Sequence, residues 1–385
     1  MNKILLCLLL VAAHVKASDV NNVMHYGAVP NDGADDTPAF VSAISNSNGV
    51  VYIPAGEYNL SSQLRFTGSV QALKGDGMGV SRLIWESGNG VYFKPPVGYK
   101  GVALLQGISL ITQASDSGNA FHYNGLNNVS NQIVNPRTKA KLVIRDIELN
   151  GYSSQAASGW NRGAIIDESL GVIVSGFRFG GQVAPLDRPM SDVAIWMRGK
   201  GKPVEVTMSD VSVYHTKHAI LVKDHEGLFI ENANLVAVDF GVQMETDVEG
   251  TKPQLNISDS HINCRVACVV TNDINDISVK NNLFYLRSSA EKNGFGVKLT
   301  GLGKRFIISG NIFASTSSLR NFDAVYSTGS YGLISNNVFN NGNRGTSVWL
   351  GNGSDQVRGS GNLCNSCGDR FLNWGAASNR IKFDN

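Results

Sequence analysis

Apolar and variable positions alternate in a short pattern that recurs along most of the chain, each copy starting at a small residue. Alternation with a period of two is typical of β-strands with one buried face. From Ala164 onward, successive copies start 22 to 30 residues apart. The copies read GVVYI, GVYF, AFHY, AIIDE, AIWMR, AILVK, GVQME, ACVVT, GVKLT, AVYST and SVWLG, starting at Gly49, Gly90, Ala120, Ala164, Ala194, Ala219, Gly241, Ala267, Gly296, Ala324 and Ser347.

A second pattern carries one polar turn residue every 21 to 29 residues. These residues are Asn234, His261, Asn282, Asn311, Asn337 and Asn362. Asparagine that recurs at one turn predicts a ladder in which each amide bonds to the backbone of the next unit. Phe284, Phe313 and Phe339 follow three of the asparagines at equal offsets, and we expect them to stack inside.

Repeat units of this length are too small to close a hydrophobic core alone, so they must stack on one another. Strands of successive stacked units lie ~4.8 Å apart and pair in parallel. The unequal intervals and the recurrent asparagine turn favour a parallel β-helix over a β-sandwich or a β-propeller.

The N-terminal stretch YGAVPNDGADDTPAF, Tyr26 to Phe40, is polar and rich in carboxylates. Thr37 and Pro38 form a typical helix N-cap and first-turn pair, and an apolar helical face follows at Phe40, Ala43 and Ile44. We therefore predict a turn and a short helix that covers the open end of the first coil. The carboxylates Asp32, Asp35 and Asp36 are interpreted as turn residues rather than as calcium ligands or catalytic groups.

The order of YGA, DGADDTPAF, GVVYIPAGEY and GDGMG over residues 23–85 resembles the N-terminal module of the pectate-lyase-like β-helix proteins. Many phage tailspikes and bacterial polysaccharide hydrolases and lyases carry this module. The resemblance implies an all-β, single-stranded, right-handed parallel β-helix of about ten or eleven coils with a short N-terminal capping helix. It also implies a groove over one outer strand face, and it allows a homotrimer.

The N-terminal residues of the chain indicate export. Lys3 precedes an apolar run of about ten residues and a Val-x-Ala end at Ala17, which are the parts of a secretory signal peptide. We predict a signal peptide over 1–17, cleaved near Ala17, and a secreted or periplasmic protein. The expected organisation is an N-terminal cap and helix over 18–48, the β-helix over 49–363 and a C-terminal cap over 364–385.

Charge and cysteine content narrow the function classes. The chain has 33 basic and 31 acidic residues, which gives no indication of binding to nucleic acid or to an anionic membrane. Without Cys7, the remaining cysteines form two local pairs, Cys264/Cys268 and Cys364/Cys367. Disulfides fit an exported chain, whereas free core thiols and a zinc site remain the alternatives. A zinc site at His215, His218 and His225 is disfavoured.

In each copy of the first pattern, positions two and four after the small residue should point outward. The second positions are Tyr92, His122, Ile166, Trp196, Leu221, Gln243, Val269, Lys298, Tyr326 and Trp349. The fourth positions include Glu168, Arg198, Lys223, Glu245, Thr271 and Thr300. Aromatic rings on this face offer flat surfaces for sugar rings.

The densest polar patch supplies the candidate site. Its predicted catalytic residues are Asp224, Glu245, Asp247 and Lys223, and its predicted substrate-binding residues are Trp196, Arg198, Glu168, Asp167 and Gln243. A carboxyl pair on adjacent coils would serve hydrolysis, whereas β-elimination would use Lys223 or Arg198 as the base. Simple ion pairs, Arg198 with Glu168 and Lys223 with Glu245, are the alternative.

These features predict an exported enzyme that degrades an extracellular or cell-envelope polysaccharide, without a cofactor, or with calcium if it is a lyase. The polygalacturonase-type signature of paired aspartates and a Gly-His-Gly turn is absent from the sequence. The alternative function is carbohydrate binding or adhesion without turnover, including a tailspike-type receptor-binding protein. The expected partner is a polysaccharide, with no nucleic acid and no membrane.

Overall fold

The structure is a computed structural model of the 385-residue chain. It describes residues 20–99, 101–125, 141–152, 158–169, 171–184, 188–199, 205–247, 253–287, 294–301, 303–315, 322–340, 345–367, 370–374 and 380–384. The predicted signal peptide lies outside these ranges. Within them, no membrane-spanning helix is found.

The chain winds as a parallel β-helix, and each coil adds strands to three faces of one 32-stranded sheet. The first-face strands are Val20–Asn22, Val50–Ile53, Ala72–Gly75, Gly227–Glu231, Gln254–Ser258, Ile277–Lys280, Lys304–Ser309, Ser330–Ser335, Asp355–Ser360 and Lys382–Phe383. The second-face strands are Gly56–Leu60, Ser81–Trp85, Leu283–Leu286, Ile312–Ser315, Val338–Asn340 and Leu363–Ser366. Four longer strands bend across both of these faces: Val102–Thr112, Lys141–Gly151, Gly171–Gly180 and Glu205–Tyr214.

The third face carries the repeated small-residue pattern from Gly90 onward. Its strands are Leu64–Phe66, Val91–Phe93, Ser117–Asn124, Trp160–Asp167, Ser191–Arg198, Thr216–Lys223, Gly294–Thr300, Phe322–Ser327, Thr346–Leu350 and Arg370–Trp374. Asn234–Glu245 and His261–Asn272 bend across the second and third faces. The other elements are a 3₁₀ helix at Val23–Tyr26, an α-helix at Thr37–Ser45 and a small antiparallel pair, Val183–Ala184 with Arg188–Pro189.

The core is a set of apolar columns inside the helix. One column on the third face joins Phe121, Ala164, Ile195, Ile220 and Val242 in register, and all five side chains are buried. The predicted phenylalanine stack is confirmed: the ring centroids of Phe284 and Phe313 are 5.0 Å apart, and those of Phe313 and Phe339 are 5.3 Å apart.

The asparagine ladder is confirmed from Asn282 onward. Asn311 donates from Nδ2 to the Val279 carbonyl at 2.9 Å and to Oδ1 of Asn337 at 3.0 Å. Asn337 repeats this arrangement toward Asn362. The amides are buried, so each one satisfies backbone groups that water cannot reach.

The prediction that Asn234 and His261 belong to the same ladder is wrong. Both residues lie on second-face strands, where His261 pairs with Leu283, and Nδ1 of His261 lies 3.0 Å from Oδ1 of Asn234. Ser260 instead precedes Asn282 in the ladder, because its backbone N–H donates to Oδ1 of Asn282 at 3.0 Å.

The helix Thr37–Ser45 packs against the first coil and buries Phe40 and Ala43. Thr37 is its first residue rather than its N-cap, which is Asp36. The carboxylates act in the turns: Oδ1 of Asp35 accepts the Thr37 N–H at 3.0 Å, and Oδ1 of Asp36 accepts the Val29 N–H at 2.9 Å.

Both local cysteine pairs form disulfides. Cys264 and Cys268 have Cα atoms 5.2 Å apart, and both side chains are buried. Cys364 and Cys367 have Cα atoms 5.6 Å apart. Thiols that are paired in this way are not zinc ligands.

Candidate functional site

Two columns of outward side chains run along the third face. The first column is Arg65, Tyr92, His122, Ile165, Trp196, Leu221, Gln243, Val270, Lys298, Tyr326 and Trp349. The second column is Asn124, Asp167, Arg198, Lys223, Glu245, Asn272 and Thr300. Neighbours within a column lie on successive coils, ~4.8 Å apart along the axis.

In two coils the predicted outward positions are wrong by one residue. Ile165, not Ile166, pairs with Trp196, and Val270, not Val269, pairs with Gln243. Ile166, Val269 and Thr271 point inward and are buried, and within the outward column Ile165 and Tyr92 are also covered, at 2% and 9% exposed. The same shift removes Glu168 from the outward column: it follows the strand in a left-handed conformation with φ 51° and is buried.

His122, Asp167 and Arg198 form a hydrogen-bonded cluster across three successive coils. Nε2 of His122 lies 2.8 Å from Oδ2 of Asp167. Arg198 binds the same carboxylate with two N–H groups, from Nε to Oδ1 at 2.6 Å and from Nη2 to Oδ2 at 2.8 Å. The predicted pairing of Arg198 with Glu168 is therefore wrong, because the arginine pairs with Asp167.

Asp167 is buried, with 8% of its side chain exposed. Burial raises its pKa, but the hydrogen bonds from His122 and Arg198 and the charge of Arg198 outweigh burial, so the pKa is lowered. Asp167 therefore stays ionised at neutral pH. An ionised carboxylate can only accept hydrogen bonds, so Nε2 of His122 carries the proton and Nδ1 has the free lone pair.

Tyr92 and Arg65 extend this cluster toward the N-terminus. The rings of Tyr92 and His122 meet edge to face, with centroids 5.2 Å apart. The guanidinium of Arg65 lies 4.5 Å from the centroid of the Tyr92 ring and donates to Oε1 of Gln63 at 2.6 Å. Asn124 donates from Nδ2 to the Tyr92 hydroxyl at 3.2 Å, which leaves that hydroxyl able to donate its own proton.

Trp196 lies between two guanidinium groups. Arg198 is 4.5 Å and Arg162 is 5.6 Å from its ring centroid, and Arg162 pairs with Asp192 at 3.2 Å. These contacts hold the indole in a half-buried position on the outer surface. Trp196 lies in the outward column, as predicted, and Asp167 lies on the preceding coil.

The four predicted catalytic residues do not form an open carboxyl pair. Asp224 has φ 58°, and its Oδ1 accepts the Asp247 N–H at 2.8 Å and the Thr246 hydroxyl at 3.1 Å. Lys223 lies beside Glu245 in the sheet, but its Nζ pairs with Asp247 at 2.6 Å. Asp224 thus stabilises a turn. A catalytic role for these residues stays a prediction.

Two of the three histidines of the disfavoured zinc site, His218 and His225, have separate surroundings. His218 stacks on Phe240 at 4.9 Å, next to Gln243 on the outer face. His225 is buried, its Nδ1 lies 2.9 Å from the Lys223 carbonyl, and burial lowers its pKa to about 4. Among the described residues, no group of three or more His, Cys, Asp or Glu side chains could hold a metal ion. Calcium stays an untested expectation.

Sequence reasoning missed three members of the cluster: His122, Tyr92 and Arg65. His122 and Tyr92 were predicted to point outward, but they were not assigned to the site. The sequence places His122 one coil before Asp167, and this spacing could have identified the contact. Because Ala164 rather than Gly163 was assigned as the small first residue of its copy, Glu168 rather than Asp167 was expected to point outward.

The model of one protein family, rhamnogalacturonase A/epimerase, pectate lyase-like, matches residues 20–243. The chain belongs to this family. The match includes Arg65, Tyr92, His122, Asp167 and Arg198, so the whole cluster lies in the family region. No match was found among curated protein sequences.

Solved structures share the fold of this pectate-lyase-like family member. The A-module of the mannuronan C-5 epimerase AlgE6 of Azotobacter vinelandii has 14% identity and a TM-score of 0.58, covering 94% of this chain and 97% of the module. DFA-IIIase from Arthrobacter chlorophenolicus A6, in complex with GF2, has 13% identity and a TM-score of 0.57 over 89% and 94% of the two chains. The N-terminal fragment of bacteriophage phi29 gene product 12 has 13% identity and a TM-score of 0.51 over 94% and 70%.

Proposed function

We propose that the protein is an exported enzyme that cleaves an acidic polysaccharide on the third face by β-elimination at a uronate unit. The observation that carries this proposal is the cluster of His122, Asp167 and Arg198. A histidine whose one nitrogen is bound by an ionised carboxylate presents its other nitrogen as a general base. This base is partly exposed, with 21% of the side chain accessible.

The reaction requires removal of the proton at C5 of the uronate. Nδ1 of His122 takes this proton, the C5–H electrons form the C4–C5 double bond, and the bond from C4 to the glycosidic oxygen breaks. The departing sugar then takes a proton, which the Tyr92 hydroxyl is able to donate. Asp167 stabilises the imidazolium that forms and keeps the ring oriented, while Arg198 holds Asp167 in place.

Arg65 supports the choice of an acidic sugar. A C5 proton is acidic enough for a histidine base only when the neighbouring uronate carboxylate is neutralised by a positive charge. Arg65 lies next to Tyr92, and its contacts among the described residues are an amide and an aromatic ring rather than a carboxylate. Its charge is therefore available to a substrate carboxylate.

The same geometry weakens the case for hydrolysis. Glycoside hydrolysis uses two carboxyl groups, one protonated and one ionised, that flank the scissile bond. Asp167 is held by Arg198 and His122, Asp224 caps a turn, and Asp247 pairs with Lys223. Each of these three carboxylates already has a structural partner, which leaves Glu245, beside Lys223 in the sheet, without a second carboxylate that is free to act with it.

Other observations support the carbohydrate and the export parts of the proposal. The mannuronan C-5 epimerase module, which has the same fold, acts on mannuronan, and the family name also includes an epimerase. Two disulfides fit a compartment outside the reducing cytosol, as does the signal peptide predicted over residues 1–17.

The test is incubation with acidic polysaccharides, namely polygalacturonate, alginate and hyaluronan, alongside neutral glucans. Ultraviolet absorbance of the unsaturated product and new reducing ends are recorded together. We expect both signals with an acidic polymer, and loss of both in His122→Gln with wild-type activity in His261→Gln, a histidine on the second face. Reducing ends without the absorbance signal, or full activity of His122→Gln, would reject the proposal.

Carbohydrate binding without turnover is the second candidate. It is favoured by the ion pairs Arg198–Asp167, Lys223–Asp247 and Arg162–Asp192, which already engage three cations of the third face. The same incubation separates the two functions, because a binding protein would retain the acidic polymer and release no product.

A further inference from the structure

A second group of aromatic and basic side chains lies near the C-terminal end of the third face. We define it as the distal platform: Phe295, Lys298, Tyr326 and Trp349. Nζ of Lys298 lies 4.6 Å from the Phe295 ring centroid. The Tyr326 centroid is 6.0 Å from that of Phe295 and 5.3 Å from that of Trp349, in edge-to-face arrangements.

The distal platform belongs to the same outward column as the His122 cluster. Lys298, Tyr326 and Trp349 are consecutive members of that column. Leu221, Gln243 and Val270 separate them from Trp196. Tyr326 is five coils beyond Trp196, about 24 Å along the axis at ~4.8 Å per coil. Within the first column, the two aromatic sites are therefore separated by coils without an aromatic residue, and the half-buried Phe240 lies beside this column, in register with Phe295.

Core packing does not account for these outward rings. Trp85 and Trp160 are fully buried, and each indole donates to a backbone carbonyl at 3.0 Å. Trp349 is 36% exposed. Exposed aromatic rings with an adjacent cation present an apolar surface and a positive charge together, which suits a sugar ring that carries a carboxylate.

We infer that the distal platform is a sugar-binding subsite that holds a remote part of the same acidic polysaccharide chain that reaches His122. This inference rests on the proposed function for the identity of the chain. Tyr326 and Trp349 contact sugar faces, and Lys298 binds a carboxylate. Since both sites lie along one column, a sufficiently long chain occupies both, whereas a short oligosaccharide occupies only one.

A length-dependent affinity follows. A long chain that is bound at one site reaches the second site intramolecularly, so its overall affinity is higher than that of a short oligosaccharide. Removing the distal platform should weaken binding of long chains and leave short oligosaccharides at the His122 cluster unaffected. Loss of a ring contact corresponds to about tenfold in affinity.

The experiment measures binding in the His122→Gln background, so that no turnover interferes. Tyr326→Ala, Trp349→Ala and Lys298→Gln are compared with Phe229→Ala, which removes a 38% exposed ring from the first face. The ligands are polygalacturonate or alginate and their oligosaccharides, some shorter and some longer than the separation of the two sites. Melting curves verify that each variant is folded.

We expect each platform variant to bind the long polymer about tenfold more weakly, with unchanged binding of short oligosaccharides at the His122 cluster and no effect of Phe229→Ala. If an aromatic variant does not fold, Lys298→Gln still tests the platform, because it removes the cation and leaves the rings in place. Wild-type affinity of all three variants for the polymer, or equal losses for short and long ligands, would overturn the inference. If the platform variants lose affinity only for long chains, and the protein with His122 intact releases no product, the platform would be supported and the proposed lyase activity rejected.

Discussion

His122 and Asp167 lie on neighbouring coils, with Nε2 of the imidazole 2.8 Å from Oδ2 of a carboxylate that is almost fully buried. The parallel register brings together two residues that are 45 positions apart in sequence. The contact assigns the proton to Nε2, and it therefore decides which nitrogen can act as a base.

Asp167→Asn should abolish activity and keep the fold. The amide cannot stabilise an imidazolium, and its NH₂ group would meet the N–H groups of Arg198. We expect a loss of at least ~100-fold in kcat with little change in KM. Asp276→Asn, at a carboxylate that pairs with Arg305 away from the third face, is the matched control and should retain most of the activity. Comparable activity of the two variants would contradict the role of Asp167.

The lowered pKa of Asp167 predicts a pH-dependent stability. Because its folded-state pKa lies below the ordinary value of 3.8, the ionised carboxylate stabilises the protein above that value. This contribution is lost as pH falls through the lowered pKa. Urea unfolding of wild type and Asp167→Asn should therefore differ most at neutral pH and converge in acid. A constant difference across pH would show that the carboxylate charge is not involved.

Arg198→Lys should impair activity because lysine cannot bind a carboxylate through two parallel N–H groups. The variant should also have a lower melting temperature, since Asp167 would remain buried with a weaker partner. Lys223→Ala breaks an exposed pair with Asp247 and should leave the melting temperature unchanged. Equal melting temperatures of the two variants would argue that the Arg198 pair is a simple surface contact.

Replacing Asn311, in the middle of the buried asparagine ladder, should lower the free energy of unfolding. Asn311→Ala removes the side-chain donor to the Val279 carbonyl and the acceptor of the Asn282 backbone N–H and Nδ2, and the free energy of unfolding should fall by about 1–3 kcal/mol. Asn340→Ala, at an exposed strand end, is the control. Equal denaturation midpoints of both variants and wild type would exclude the ladder as a source of stability.

The N-terminal helix should be essential to the first coil. Phe40 is fully buried against Tyr58, with ring centroids 5.6 Å apart, so Phe40→Ala should cost about 3–5 kcal/mol. Its neighbour Val41 is 48% exposed, and Val41→Ala should change stability by less than ~0.5 kcal/mol. Thermal unfolding of the two variants tests the difference. Similar curves would mean that the helix is a dispensable appendage.

The architecture could be predicted because its determinants are periodic. The alternating strands, the recurrent asparagine and the phenylalanine at a fixed offset from that asparagine each repeat once per coil, and they indicate the same stacked fold. The parallel β-helix, the ladder from Asn282 and the phenylalanine stack followed from these repeats.

The site was predictable only in part because register errors are invisible in sequence. Gly163 and Ala164 are both small, and choosing the wrong one shifts the strand by one residue, which exchanges its inner and outer faces. That shift replaced Asp167 by Glu168 as the expected partner of Arg198. The turn role of Asp224 also could not be predicted, because it depends on a left-handed backbone conformation and on contacts with the next coil.

The proposed function requires that His122 removes a proton from carbon. The most direct measurement is NMR of an acidic polysaccharide treated with the protein in D₂O. We expect wild-type protein and His261→Gln to generate C4–C5 unsaturated ends whose former C5 proton is lost, and His122→Gln to leave the polymer unchanged. Chain cleavage that retains the C5 proton, or unsaturated ends formed by His122→Gln at the wild-type rate, would contradict the account.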